Sequence, residues 1–87
     1  MTLVSKAEIF SEIEWFGIVD ELSLSPRQEE IIKCLFLGDS DKQIANDLHI
    51  AIPTVRTHLK RLFMKLDVQD RIGLVLRIFY IFCKSRH

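Results

Sequence analysis

The chain has 87 residues, of which 48% are hydrophobic and 28% are charged. This length allows one small domain, and this composition is typical of a globular protein and excludes a disordered tail. Two cysteines are too few for a disulfide scaffold and indicate a reducing compartment, so we expect a cytoplasmic protein. The longest apolar block, residues 72–83, is shorter than the ~20 residues that span a bilayer, and we therefore expect no membrane partner.

Charge is distributed unevenly along a chain whose formal net charge is zero. Residues 1–23 carry one lysine against five acids, a net charge of −4. Residues 41–65 carry five basic residues against two acids, a net charge of +3. A polyanion-binding surface needs a cationic segment of this kind.

Apolar residues recur at intervals of three and four, which predicts an all-α fold. We divide the chain into an N-terminal helical segment, residues 1–23, and a second unit, residues 24–87. The apolar face expected on the N-terminal segment consists of Ile9, Phe10, Ile13 and Phe16.

Two capping boxes predict where the next two helices begin. The run Ser25-Pro26-Arg27-Gln28 has a capping serine, a proline suited to the first helical position and a glutamine that completes the box. Gly38 is expected to end that helix as a left-handed cap. The run Ser40-Asp41-Lys42-Gln43 repeats the box, so a helix of about eight residues should follow at once.

The helix expected over residues 53–66 has two different faces. One face, about 100° wide, is a core stripe of Val55, Leu59, Leu62, Phe63 and Leu66. The opposite face consists of Arg56, Thr57, Lys60, Arg61 and Met64, and no acid occurs between Ala51 and Leu66. Two helices joined by a tight turn, the second cationic on its outer side, form a helix-turn-helix suited to the major groove of DNA.

The last helix, expected from about Asp70 to Cys83, is apolar around most of its circumference. Such a helix must be covered on two sides, and the candidates are the N-terminal segment and a second copy of the chain. We therefore expect a homodimer whose interface is formed by Ile72, Val75, Leu76, Phe79, Tyr80 and Phe82.

Four runs at fixed spacing resemble the LuxR-type (GerE-like) DNA-binding domain. They are Leu24-Ser-Pro-Arg-Gln-Glu-Glu-Ile-Ile, Gly38-x-Ser40-x-Lys42-Gln-Ile44-Ala45-x-x-Leu48-x-Ile50, Thr54-Val55-Arg56-x-His58 and Lys65-Leu66-x-Val68-x-x-Arg71. The resemblance extends from about Leu24 to Val75 without a gap and implies a four-helix domain. The chain resembles the family's stand-alone members or a fragment of a larger regulator, and the Met1 start favours the first.

The resemblance also implies roles for individual residues. It places Arg56, Thr57 and Lys60 at positions that read base edges, where Arg and Lys donate to guanine and the Thr methyl contacts thymine. Arg71 is expected to form an intramolecular ion pair or a helix cap. Phosphate contacts, which fix orientation, are expected from Lys42, Thr54, His58, Arg61 and Lys65, with a packed structural role equally open for His58.

Three departures from the family pattern concern stability rather than the groove-facing residues. Gln28 replaces the usual glutamate. The run Ala51-Ile52-Pro53 lacks the Ser or Thr that commonly caps the recognition helix, a loss of about 1 kcal/mol. His49 replaces the usual turn glycine and is less comfortable there if φ is positive.

The leading hypothesis is a bacterial transcription regulator that binds duplex DNA in the major groove as a dimer, at the nucleoid, with RNA polymerase as a further candidate partner. The alternative is a small antagonist that heterodimerises with a full-length LuxR-type regulator without binding DNA itself. A promoter-element module akin to sigma-factor region four shares the helix-turn-helix but not the continuation from Lys65 to Arg71.

Catalytic and ligand-binding functions find no support in the sequence. The thiols of Cys34 and Cys83 and the imidazoles of His49 and His58 lack metal-ligand spacing, and no glycine-rich phosphate loop occurs. Cys34 lies within an apolar helix and is expected to be a packed thiol. We therefore expect no enzyme, cofactor, metal site or small-molecule ligand.

Overall fold

The computed structural model describes the backbone of residues 12–85 and the side chains of residues 14–84. Over this range the chain forms five helices and no strand: α1 (Glu12–Leu22), α2 (Pro26–Phe36), α3 (Asp41–Leu48), α4 (Ile52–Leu66) and α5 (Arg71–Ser85). The predicted all-α fold, with a helix-turn-helix formed by α3 and α4, is confirmed. No helix in this part of the chain is long and apolar enough to cross a bilayer.

The two predicted capping boxes are present at the starts of α2 and α3. The Ser25 hydroxyl accepts from the Gln28 backbone N–H at 3.2 Å, and the Gln28 side chain accepts from the Ser25 N–H at 3.0 Å. Ser40 and Gln43 repeat both bonds at 3.2 and 2.7 Å. Since these bonds satisfy the N–H groups at each helix start, residues 25 and 40 fix where the two helices begin.

Gly38 ends α2 in the left-handed conformation, with φ of 78°. Its N–H donates to the Leu35 carbonyl, and the next N–H, of Asp39, donates to the Cys34 carbonyl. This pair of bonds is the Schellman arrangement, which turns the chain sharply after a helix. The predicted left-handed cap is therefore confirmed, and it brings Ser40 directly into position to start α3.

Two departures from the family pattern have visible consequences in the turn between α3 and α4. His49 adopts the left-handed conformation, with φ of 56° and ψ of 44°, although it carries a side chain. Ala51 occupies the N-cap of α4 and provides no side-chain hydrogen bond. The helix begins at Ile52, one residue before the expected Pro53, which takes the second helical position.

All five helices contribute side chains to one core, and α4 contacts α2, α3 and α5. Four of the five residues predicted for the core stripe of α4 are buried, and Phe63 is partly buried. The buried residues are Trp15, Ile18, Leu24, Ile31, Ile32, Cys34, Leu35, Ile44, Ala45, Val55, Leu59, Leu62, Leu66, Leu74, Ile78 and Phe82.

Helix α1 packs against α5, as expected for the N-terminal segment, but Phe16 of the predicted apolar face does not take part in the core. Phe16 is 75% exposed, whereas Trp15 and Ile18 are buried. Trp15 is held twice on α2: its Nε1–H donates to Glu29 Oε1 at 2.8 Å, and its ring lies edge-on to Phe36. Of the other residues predicted for this face, Ile9, Phe10 and the side chain of Ile13 lie outside the described residues.

Candidate nucleic-acid interface

The outer side of α4 presents basic side chains to solvent. We define the cationic face as the exposed residues Arg56, Thr57, Lys60 and Arg61. Arg56 and Lys60 are four residues apart and lie one helical turn from each other along the same side. Since α4 contains no acidic residue, no charge on the helix itself neutralises this face.

The N-terminus of α4 adds to the positive potential of this surface. Ala51 makes no side-chain cap bond, and the first turn holds no acidic residue. The backbone N–H groups at this end therefore keep the partial positive charge of the helix dipole, which attracts anions such as phosphate oxygens. Thr54 lies in this turn and is exposed.

Most residues predicted to contact DNA are accessible for that purpose. Lys42, Lys60 and Arg61 are exposed, and within residues 14–84 their side chains make no hydrogen bond or ion pair. The Thr57 hydroxyl donates to the Pro53 carbonyl at 3.0 Å, which leaves its methyl group for apolar contact. His58 is partly buried, at the border between the core stripe and the cationic face.

Two more of the predicted residues, Lys65 and Arg56, have side-chain partners within the protein. Lys65 Nζ donates to the Ser23 carbonyl at 2.6 Å and lies 3.5 Å from Gln28 Oε1. Arg56 Nε donates to Asp41 Oδ2 at 3.2 Å. The sequence indicated neither contact, because the partners are 42 and 15 residues away along the chain.

The Asp41 carboxylate, at the first position of α3, joins the starts of α4 and α5. Oδ2 accepts from Arg56 Nε, and Oδ1 accepts from Arg71 Nη2. This pairing with Asp41 confirms the ion pair expected for Arg71. Arg71 also donates to the Asp39 carbonyl at 3.2 Å. The hydrogen bond from Arg71, with a second from Arg56, lowers the pKa of Asp41 below its ordinary value of 3.8 despite partial burial.

The Cys34 thiol is buried, as expected for a packed cysteine. Burial, together with the nearby carboxylates of Asp39 and Asp47, raises the pKa of Cys34 to about 11. The thiol is therefore neutral at physiological pH and a poor nucleophile. Its Sγ and one oxygen from each of these carboxylates lie within 4.8 Å of one another, a grouping that only the packing of α2 against α3 reveals.

Helix α5 exposes large apolar side chains on the side that faces away from the core. We define the apolar face as Ile72, Leu76, Phe79 and Tyr80, which are between 40% and 69% exposed. An open groove beside it is lined by Leu35, Gly38 and Val75. Phe82, also predicted for the interface, lies in the protein's own core with its ring 6.1 Å from that of Phe79.

The family model described as "Bacterial regulatory proteins, luxR family" matches residues 22–78. The chain belongs to this family. The match runs from the last residue of α1 to the middle of α5 and includes the complete helix-turn-helix. The resemblance proposed from the sequence is thus confirmed, and the luxR-family chain carries the DNA-binding domain of a transcription regulator.

Individual regulators are similar to this chain over part of its length. YhjB of Escherichia coli (strain K12), named as an HTH-type transcriptional regulator, is 44% identical over 54 residues, 62% of this chain. The response regulator protein VraR of Staphylococcus aureus (strain NCTC 8325) and that of Staphylococcus saprophyticus are each 41% identical over 56 residues, 64% of this chain. The aligned part is 27% of each relative, so the chain matches about a quarter of their length. No solved structure shows a significant match.

Proposed function

We propose that the protein binds duplex DNA as a dimer and places α4 in the major groove. The observation that carries this proposal is the exposed, acid-free cationic face of α4 on a helix-turn-helix of the luxR family. A helix with this exposed chemistry fits the major groove, where phosphates attract it and base edges lie within reach of its side chains.

Sequence reading is assigned to three residues of the cationic face. Arg56 and Lys60 donate to the O6 and N7 acceptors of guanine, and both lie along the same stretch of groove. Thr57, whose hydroxyl is already bonded to Pro53, contacts a thymine methyl.

Phosphate contacts are assigned to Arg61 of the cationic face and to residues that surround this face. Lys42 and Arg61 flank the reading residues, and both are exposed. Lys65 has to leave the Ser23 carbonyl before it can reach a phosphate. The complete set is Lys42, Thr54, His58, Arg61 and Lys65, and these residues fix the protein's orientation on the duplex.

Dimerisation is proposed to occur through the apolar face of α5. Side chains such as Leu76 and Tyr80 are exposed even though α1 packs on α5. A symmetric contact buries this face on both copies and places two recognition helices on successive turns of the same side of DNA. In this arrangement residues 24–87 form the DNA-binding unit at the nucleoid, residues 1–23 precede it as a separate segment, and RNA polymerase is a further partner.

The DNA-binding proposal is tested by selecting bound duplexes from a random pool with the full chain. We expect one enriched sequence with two half-sites about 10 base pairs apart and an affinity that falls steeply with salt. No enrichment and no salt-dependent affinity would contradict the proposal. If, in that case, the chain prevents a full-length family member from binding DNA, the antagonist hypothesis is supported instead.

Dimerisation is tested separately, without DNA, by sedimentation velocity over a range of concentrations. Leu76→Glu, in the apolar face, should shift the protein to monomer. Met64→Glu introduces the same charge at an exposed apolar residue of α4 and should leave the dimer intact. A wild-type protein that stays monomeric at high micromolar concentration would contradict this part of the proposal.

A further inference from the structure

We propose that Asp41 is a positioning residue for DNA reading: it holds Arg56 by Nε, and Arg71 holds Asp41. This inference rests on the proposed function of α4. It assigns a role in sequence specificity to a residue that itself contacts no base.

The geometry gives Arg56 a fixed support. Asp41 follows the N-cap Ser40, so its backbone is anchored by the capping box of α3. Its two carboxylate oxygens are divided between two arginines, with Oδ2 on Arg56 and Oδ1 on Arg71. Arg71 is fixed in turn by the Asp39 carbonyl. The Arg56 side chain is thereby tied to the starts of both α3 and α5.

Asp41 bonds a nitrogen of Arg56 that is not needed for base reading. Arg56 bonds Asp41 through Nε, and within residues 14–84 its two Nη nitrogens have no protein partner. The side chain remains 68% exposed. A guanidinium has five N–H donors in a planar fork, so the Nη groups remain available for the paired acceptors of guanine.

Holding Arg56 before DNA arrives should favour the correct site in particular. An unrestrained arginine loses much rotamer freedom when it binds, and a side chain that is already positioned avoids part of that loss. The negative charge of Asp41 has the opposite effect on DNA in general, since it lies close to the surface that phosphates approach. Removal of Asp41 should therefore change specific and non-specific binding in opposite directions.

The experiment compares Asp41→Asn with Asp47→Asn in the full chain. Asp47 lies on the same helix and undergoes the same change of charge, but it contacts no arginine within the described residues. Affinities are measured for the selected duplex and for a scrambled duplex. The Asp41→Asn protein should bind the selected duplex about three- to tenfold more weakly than wild type does. It should bind the scrambled duplex at least as tightly as wild type does. Asp47→Asn should shift both affinities in the same direction.

The same variant in an Arg56→Ala background tests whether Asp41 acts through Arg56. Here Asp41→Asn should leave the ratio of the two affinities unchanged, because the side chain that it positions is gone. A ratio that falls equally in both backgrounds would overturn the inference. So would an Asp41→Asn protein that weakens both duplexes alike, since that is the behaviour of a damaged α3.

A measurement without DNA separates this inference from the proposed function. In proton-exchange NMR, the Nε–H of Arg56 should exchange more slowly than that of Arg61, which is exposed and without a bonded partner in the described part of the chain. Asp41→Asn should abolish the difference, and equal exchange rates in wild type would overturn the inference. If wild type selects no duplex, the proposed function fails. If it does select one and Asp41→Asn keeps the affinity ratio, only the inference fails.

Discussion

Helices α4 and α5 are each 15 residues long and bury one side in the same core, but their outer sides have opposite chemistry. The outer side of α4 presents Arg56, Lys60 and Arg61. The outer side of α5 presents Ile72, Leu76 and Tyr80. Both helices are held in the core by similar apolar stripes, so their buried sides do not explain how their functions differ. The exposed side of α4 fits a polyanion, whereas the exposed side of α5 fits an apolar surface.

The two exposed surfaces also differ in how they interact with water. The charged group of a side chain such as Lys60 stays hydrated in the unbound protein, so its exposure costs little free energy. Exposed apolar area is unfavourable by about 25 cal/mol per Å², so the apolar face of α5 gains from any contact that covers it. This difference leads us to expect association through α5 even without DNA, and salt-dependent binding through α4 only when DNA is present.

The largest expected effect distinguishes the two sides of α5 by the same substitution. Leu74 is fully buried, and Leu74→Ala should lower the free energy of unfolding by about 2–5 kcal/mol. Leu76, two residues later, is 63% exposed, and Leu76→Ala should change the stability of the monomer by less than about 0.5 kcal/mol while it weakens the dimer. Urea denaturation at low protein concentration measures the change in the free energy of unfolding for both variants. Equal losses would show that the outer side of α5 belongs to the core.

The next effect distinguishes reading from anchoring on α4. Lys60→Ala should weaken binding to the preferred duplex by about 1–3 kcal/mol and reduce the sequence preference at one base position. Arg61→Ala should weaken all duplexes alike and reduce the salt slope by about one unit. Titration of preferred and scrambled duplexes at several salt concentrations tells these results apart. If Lys60→Ala weakens binding to both duplexes equally, Lys60 contacts phosphates and does not read bases.

The sequence was sufficient to predict the helices, because their signals are local. The capping boxes at Ser25 and Ser40 and the left-handed Gly38 each depend on residues within four positions of one another. The buried side of α4 followed in the same way from its 3.6-residue period. Family resemblance supplied the functional roles, which local patterns alone could not.

What the sequence did not indicate depends on contacts between distant segments. Phe16 and Trp15 are adjacent, and their periodicity did not reveal that Trp15 is the one held by Glu29 on α2. The contacts of Lys65 with Ser23 and of Arg56 with Asp41 likewise arise only when the helices pack. A basic residue on an exposed helix side looks the same in sequence whether it is solvated or bonded.

A smaller effect concerns the unequal starts of α4 and α5. Ala51 provides no cap for α4, whereas Asp70 Oδ1 accepts from the Gly73 N–H at 2.8 Å at the start of α5. Ala51→Ser should therefore raise the free energy of unfolding by about 1 kcal/mol, and Asp70→Ala should lower it by a similar amount. Thermal unfolding measures both changes. A Ser at position 51 that adds no stability would show that Pro53 and the turn already determine how α4 begins.

The smallest expected effect concerns Asp41, the carboxylate that links α4 to α5 through Arg56 and Arg71. Its pKa in the folded protein is lowered, first by the hydrogen bond from Arg71, so folding favours the ionised form. Its contribution to stability is therefore present above the ordinary value of 3.8 and is lost as the pH falls through the lower folded pKa. Because Arg56 is mostly in water, we expect wild type to be more stable than Asp41→Asn by about 1 kcal/mol or less at neutral pH. In urea denaturation, this difference should shrink below about pH 4, while Asp47→Asn stays close to wild type throughout. A difference that persists unchanged into strong acid would show that the asparagine disturbs the start of α3 by its shape, and that the charge of Asp41 does not hold the two arginines.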